Sequence, residues 1–257
     1  MIIQPQNKSA LIDNEPIGVD GFCFSCHSGV SCFKDCCRKL ELYLYPYDII
    51  RLKQALAIPS GDFLVKHTRI AEGSHPFFPA LMLLMNQEEP HLCPFLGENG
   101  CLVYEDRPSA CRTYPLERAV ERVPGSKALT SHYFMTNHSY CKGHGEEKHY
   151  TIRKWESEQR IFDFNLMNDL WAEVDAFFAS NPWQGEGAAG PMQQFAFMVC
   201  YNIDQFRSYY VDNQLAKRTG LDKSARRLID RHDDELLKFG FKWLLSGLRS
   251  RDGNFLG

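Results

Sequence analysis

Ten cysteines stand in this chain of 257 residues, and nine of them fall between Cys23 and Cys141. They come in groups. Cys23-Phe-Ser-Cys26 is followed by Cys32-Phe-Lys-Asp-Cys36-Cys37, then by Cys93-Pro-Phe-Leu, Cys101 and Cys111, and last by Cys141 in Tyr140-Cys-Lys-Gly-His-Gly145. Thiolates are soft, strong ligands for zinc and for iron–sulfur clusters. A C-x2-C turn lets two sulfurs converge on one centre while distant segments supply the rest of the shell. Any one cysteine is equally well explained as a small buried apolar residue. For Cys200, alone in an apolar stretch, that is the better reading. The adjacent pair Cys36-Cys37 and the crowding of the other seven make it a poor one for the set.

The spacing keeps two metals in play. Structural zinc domains commonly carry two C-x2-C knuckles, and here there is one. The remaining spacings match neither zinc ribbons nor ferredoxin runs. An iron–sulfur cluster, of the [4Fe-4S] type, is favoured over zinc. The candidate ligands are Cys23, Cys26, Cys32, Cys36, Cys37, Cys93, Cys101, Cys111 and Cys141. One four-ligand site does not use them all, so two centres, or one centre with additional thiols, both satisfy the count. His27, His91 and His144 lie close enough in sequence to replace a thiolate. Four thiolates on Zn2+ or on an oxidised four-iron cluster leave about two net negative charges. Arg107 and Arg112, which bracket Cys111, and Arg38 and Lys39, which follow Cys37, are the cations available to balance them. The alternative is that Glu105, Asp106 and Glu117 pair with these arginines at the surface. Pro108 is expected to open a short helix with Cys111 in its first turn.

Composition narrows the class. Hydrophobic residues make up 44% and charged residues 24%, as in an ordinary globular protein. A net charge of −3 and a pI near 6.3 give no global basic field, so neither nucleic acid nor an acidic membrane surface is the expected partner. No secretory signal and no bilayer-spanning apolar run is read, and a cytoplasmic location is expected. In a reducing compartment, clustered thiols bind metal or do redox chemistry rather than form a disulfide framework.

The elements that must position these thiols read as an α+β protein. Residues 1–150 are expected to form a cysteine-cluster metal-binding domain, with residues 151–257 a helical region packed on it. In the first part, short strands are expected at 38–45, 80–86 and 101–104, helices at 47–57 and 62–67, and a hairpin of 118–123 with 128–135 around Pro124-Gly125. In the second, apolar residues recur at helical spacing. Helices are expected from Thr151, as N-cap, to a stop at Asn181-Pro182, then over 192–211 and 223–248. Gly240 and Gly247 weaken the last of them.

Several strings together resemble a known family. Cys36-Cys37, Tyr47-Asp48-Ile49-Ile50-Arg51-Leu52, Cys93-Pro94-Phe95-Leu96, Gly100-Cys101-Leu102-Val103-Tyr104-Glu105-Asp106-Arg107-Pro108 and Cys111-Arg112-Thr113-Tyr114-Pro115 resemble the YkgJ-type cysteine-cluster family, also called CxxCxxCC. The likeness covers about residues 20–150. It implies a zinc- or iron-chelating domain with Cys36, Cys37, Cys93, Cys101, Cys111 and Cys141 as ligands. The family's compact C-x2-C-x2-C-C run is stretched here to Cys23-x2-Cys26-x5-Cys32-x3-Cys36-Cys37, which leaves open which of the first three ligate. Family members are often described as iron–sulfur oxidoreductases, and some relatives resemble flagellin lysine N-methylases. Three functions are therefore expected as alternatives: an iron–sulfur protein with a redox or cluster-dependent role and a redox or protein partner, a zinc-stabilised protein-binding module, or a protein-lysine N-methylase-like enzyme. No catalytic or substrate-binding residue is assigned.

Overall fold

The computed structural model describes residues 2–3, 15–122, 129–183, 185–186 and 188–249. The chain begins with two short strands, β1 (Ile2–Ile3) and β2 (Phe22–Cys23), and a 3-10 turn at Asp35–Cys37. β3 (Tyr43–Leu44) leads into α1 (Pro46–Ala55). Pro46 suits the first helical position because its φ is already fixed, and the Asp48 carboxylate accepts the Tyr45 N–H at 2.9 Å. Then come α2 (Ser60–His67), β4 (Thr68–Ala71), β5 (Ala80–Leu83), β6 (Leu96–Gly97) and β7 (Gly100–Cys101). A 3-10 turn at Tyr104–Asp106 precedes α3 (Ser109–Thr113), β8 (Leu116–Arg122), β9 (Leu129–Met135) and β10 (His149–Tyr150). The rest is helical: α4 (Ile152–Glu158), α5 (Ile161–Phe178), α6 (Pro191–Tyr201), α7 (Ile203–Asp212), α8 (Leu215–Arg218), α9 (Lys223–Arg231) and α10 (Asp233–Arg249). Short strands in the first half and helices in the second make the class α+β.

Each of the three expected long helices is interrupted by one or two residues. The first breaks between α4 and α5, where Arg160 adopts a left-handed φ of 51°. The second breaks at Asn202, whose side chain accepts the Gln205 N–H and caps α7. The third breaks at His232, which is extended. The expected strand at 38–45 is reduced to Tyr43–Leu44 plus a single bridge between Arg38 and Leu92. At 101–104 only Cys101 is in a strand, and a 3-10 turn follows. The hairpin is present, with Leu116 opposite Met135 and Arg122 opposite Leu129; its Pro124-Gly125 turn lies outside the described residues.

The chain forms two compact units, and neither is a continuous stretch. The first comprises the residues up to Tyr43 together with Met85–Asp163. Its core is Phe22, Phe24, Leu116, Tyr133, Tyr150, Trp155 and Ile161, with Ile17, Tyr114, Met135, Cys141 and Ile152 packed against it. β2 pairs antiparallel with β10, and the Trp155 indole N–H donates to Thr113 O at 3.0 Å, so strands and α4 grip one aromatic cluster.

The second unit comprises Leu44–Leu84 and the chain from Phe164 onward. A sheet of order β3-β5-β4 and helices α1, α2 and α5–α10 enclose buried Ile49, Leu52, Phe63, Val174, Phe178, Trp183, Phe206 and Leu236. A Cβ on Gly240 would lie 2.8 Å from both Phe206 and Val199, so the missing side chain is what lets α10 close on α6 and α7. Lys53 is buried with its Nζ 2.8 Å from the carboxylates of both Asp204 and Asp233, and Asp233 also meets Arg207 at 2.8 Å. Two cations facing two carboxylates satisfy one another without an outside ligand. Among the described residues, no helix is long and apolar enough to cross a membrane.

Candidate metal centre

The clustered cysteines lie in the first unit. Residues 26–37 fold as successive tight turns: the Val30, Phe33, Asp35 and Cys37 N–H groups donate to the carbonyls of His27, Val30, Cys32 and Lys34 at 2.9–3.0 Å. Lys34, at a left-handed φ of 75°, turns the chain into the 3-10 element that sets Cys36 and Cys37 side by side, their Sγ atoms 4.0 Å apart. The backbone then ties this loop to the next thiol-bearing segment. Lys39 N–H donates to His91 O at 3.1 Å, and Cys93 N–H donates to Cys37 O at 2.9 Å. The Lys34 ammonium reaches Glu98 O at 2.8 Å, at the tip of the β6–β7 hairpin that carries Cys101.

The third segment arrives through a close backbone approach. Ser25 N–H donates to Gly143 O at 3.1 Å, and a Cβ on Gly143 would sit 2.6 Å from Ser25 O. Only glycine fits there, and it places the preceding Lys142 N–H so that it donates to Cys32 Sγ at 3.0 Å. An N–H aimed at sulfur stabilises the thiolate that a metal requires.

Electrostatics identify which thiols share a neighbourhood. Burial first, and then Cys36, Cys141 and Cys32, push the Cys26 thiol up to about 11. Burial also pushes Cys93 up to about 11, opposed by the Phe95 N–H and reinforced by Cys101 and Cys36. Cys101 is raised by burial and by Cys36, while the Val103 N–H and the Arg107 guanidinium pull it down. The hydrogen bond with Cys37 is the largest influence holding Cys36 far above the ordinary thiol range, with burial next. Tyr140 is pushed up to about 12 by burial and then by Cys36, Cys141, Cys32 and Cys37. Seven thiols, Cys26, Cys32, Cys36, Cys37, Cys93, Cys101 and Cys141, thus feel one another directly or through these neighbours, with Cys36 common to both halves of the group.

Among the described residues, no three His, Cys, Asp or Glu side chains close on a single point as metal ligands would. The thiols are neighbours, not a preformed cage. Their chemistry nonetheless fits a soft metal. Five of them are half-buried and Cys26 and Cys36 are exposed; as thiolates they would repel one another, and a bound cation would remove that repulsion.

The other candidates sit as follows. Cys23 is exposed in β2, its backbone paired with His149. Cys111 is exposed on the short α3, which begins after Pro108. Cys200 is buried in α6 of the second unit. The three histidines have other partners. His27 Nε2 is 3.1 Å from Glu146, His91 Nε2 is 3.2 Å from Glu89, and His144 Nε2 is 3.3 Å from the Tyr114 hydroxyl. Arg38 and Lys39 pair with Asp35 and Glu89 near the surface. Arg107 and Arg112 are instead buried. Arg112 donates to the carbonyls of Gln159 and Glu105, and Arg107 donates to the Tyr104 carbonyl and the Gln159 side chain. Sequence reasoning missed an aromatic wall beside Cys141. The rings of Tyr114 and His138 stack at 5.7 Å and those of His138 and Tyr140 at 5.1 Å, and burial, followed by Cys141, holds the Tyr114 hydroxyl well above the ordinary phenol range. Its signal was the position of Tyr114 and Tyr140 next to the cysteine strings.

A cysteine-rich, metal-chelating domain is the class that this thiol neighbourhood defines. Residues 25–142 match the family model CxxCxxCC, described as a putative zinc- or iron-chelating domain. This is the family that the motif strings resemble, and the likeness is to that span of the chain. The match takes in eight of the nine clustered cysteines and leaves out Cys23. No curated protein and no solved structure matches the chain.

Proposed function

We propose that the thiol neighbourhood of the first unit holds an iron–sulfur centre and that the protein serves a redox or cluster-dependent role in the reducing cytoplasm. The observation that carries metal binding is the number of thiols. Seven share one neighbourhood, which supports a soft thiolate-bound metal; a four-iron cluster and a tetrahedral zinc would each take four of them, and the single C-x2-C pair, where zinc domains commonly carry two, is what favours the cluster. We assign ligation to members of the group Cys26, Cys32, Cys36, Cys37, Cys93, Cys101 and Cys141, with Cys111 added from the family motif. A bound cluster would supply one-electron exchange. The chain's own part is to hold the thiolates, to aim the Lys142 N–H at Cys32, and to shield Cys141 with Tyr114 and Tyr140. Cys26 and Cys36 remain exposed, so a partner protein can approach the centre closely.

One observation favours a second reading. A tetrahedral zinc with Zn–S of about 2.3 Å sets its sulfurs roughly 3.8 Å apart, and the Cys36 and Cys37 sulfurs stand at 4.0 Å. A zinc-stabilised protein-binding module would use that pair. Purification without oxygen, followed by a visible spectrum and iron, sulfide and zinc content, separates the two. Iron and sulfide in matching amounts with a broad visible band are expected. Stoichiometric zinc without the band would replace the redox reading with the zinc module. Titration of S-adenosylmethionine into the same preparation tests the methyl-transfer alternative, for which specific binding is the required result.

A further inference from the structure

Cys36 and Cys37 are neighbours in sequence and in contact in space, with their Sγ atoms 4.0 Å apart. That contact is not automatic. Successive side chains of a 3-10 turn diverge by about 120°, and here the turn over Asp35–Cys37 is fixed from both sides. Lys34 enters it at a left-handed φ of 75°, the Cys37 N–H donates to Lys34 O at 3.0 Å and the Arg38 N–H to Asp35 O at 3.2 Å. Cys37 O accepts the Cys93 N–H at 2.9 Å, and Arg38 leaves the turn in an extended conformation. Cys36 is exposed and Cys37 half-buried, so the pair is open to a small reagent from solvent.

Two thiols in contact at an exposed turn are the reactants of a disulfide. Across a trans peptide, neighbouring Cα atoms lie about 3.8 Å apart, short of the roughly 4.4–6.8 Å that relaxed disulfides span. A bond between adjacent cysteines is therefore strained, and strained, accessible disulfides are the readily reduced, regulatory ones. We propose that Cys36 and Cys37 form a reversible redox-modification site, closed to a disulfide by glutathione disulfide when no metal holds the pair, and reopened by reduced glutathione. One thiolate of the pair attacks glutathione disulfide, whose S–S bond breaks to release one glutathione thiolate and leave a mixed disulfide. The neighbouring thiolate then attacks the protein-bound sulfur of that mixed disulfide and expels the second glutathione. The two cysteines lose two electrons and two protons, and glutathione disulfide takes up both to become two glutathione thiols. The site requires only the contact between the two sulfurs, so it does not depend on whether the thiol neighbourhood binds iron–sulfur, zinc or neither. Closing it withdraws both sulfurs from any metal.

The sequence supplies a readout. Trypsin cleavage after Lys34 and Arg38 yields the tetrapeptide Asp35–Arg38, which contains Cys36 and Cys37 and no other cysteine. The full chain, both as isolated and after chelation, is incubated with glutathione disulfide; remaining thiols are alkylated without reduction and the tetrapeptide is read by mass spectrometry. From the chelated protein the peptide is expected two hydrogens lighter than its reduced form, free of alkyl groups, and doubly alkylated once reduced glutathione has been added. Cys36→Ser and Cys37→Ser, which lack the second thiol, should each keep a glutathione adduct on the remaining cysteine. In concentrated urea, where the turn is lost, closure should be at least about tenfold slower. Double alkylation of the wild-type peptide, a persistent glutathione adduct on it, its linkage to a peptide bearing another cysteine, or closure as fast in urea would overturn the proposal. The as-isolated protein tests the metal reading separately. Protection of the pair until chelation supports its ligation, whereas immediate closure supports the disulfide and removes these two cysteines from the ligands.

Discussion

Cys36 stands at the junction of the thiol group. Its Sγ is 4.0 Å from that of Cys37, and its charge is felt by Cys26, Cys93, Cys101 and Tyr140. That such residues are candidate ligands was legible in the sequence, because adjacent cysteines among other clustered cysteines have few other uses. Which thiols are neighbours was not legible, since it depends on loop paths over more than a hundred residues. The surroundings were harder still. Arg107 stood in the sequence as one of four nearby cations, and only burial separates it from Arg38, which pairs at the surface. Glu117 offers a residue-scale test away from the site. Burial on β8 pushes its carboxyl up to about 7 from an ordinary 4.5. Between those values the folded state holds a proton that the unfolded state releases, so its contribution to stability falls as pH rises from about 4.5 to 7 and stays lost above. Glu117→Gln should therefore raise the urea midpoint at pH 8 and leave it nearly unchanged at pH 4.5.

Elements were legible where periodicity and a stop signal agreed. Thr151 caps α4 through the Lys154 N–H, Pro46 starts α1, and the hairpin of β8 and β9 falls where alternation placed it. The missed breaks share a cause. Arg160, Asn202 and His232 mark breaks of one or two residues in the helical path. None is a proline or glycine, so the apolar pattern runs on through them. Gly240 was read as a weak point, whereas its lack of a side chain is what lets Phe206 and Val199 approach. Gly143 has the corresponding role at the site. Gly143→Ala would put a methyl group 2.6 Å from Ser25 O and 2.8 Å from the Phe24 ring. A loss of about 1–3 kcal/mol is expected from such overpacking, together with faster metal release as the Cys141 segment moves off Cys32. Paired denaturation and chelator-release curves check both, and an unchanged release rate would mean that the Cys141 segment does not serve the centre.

At the scale of the molecule, composition conveyed an ordinary globular α+β chain, and the structure bears that out. The interleaving of the two units could not be read from it. The thiol-bearing unit is assembled from segments on either side of residues 44–84, and the second unit takes that insertion together with the C-terminal helices. Nothing in the order of apolar residues marks such a return, because each segment is locally regular and the pairing is long-range. Assembly from separate segments also gives a metal a part in the first unit: one held by Cys26, Cys93 and Cys141 would cross-link pieces that the aromatic core and backbone hydrogen bonds already join.

The most direct measurement is thiol alkylation of the whole chain, purified without oxygen and read by mass spectrometry at each of the ten cysteines, before and after chelation. At least four of Cys26, Cys32, Cys36, Cys37, Cys93, Cys101, Cys111 and Cys141 should be protected as isolated and become reactive together when metal is withdrawn. Cys23, exposed and outside the family match, should react throughout. Cys200, buried in α6, should react only on unfolding. If the exposed Cys26 and Cys36 react at once in the untreated protein and chelation changes nothing, those thiols hold no metal and the assignment of this centre is wrong.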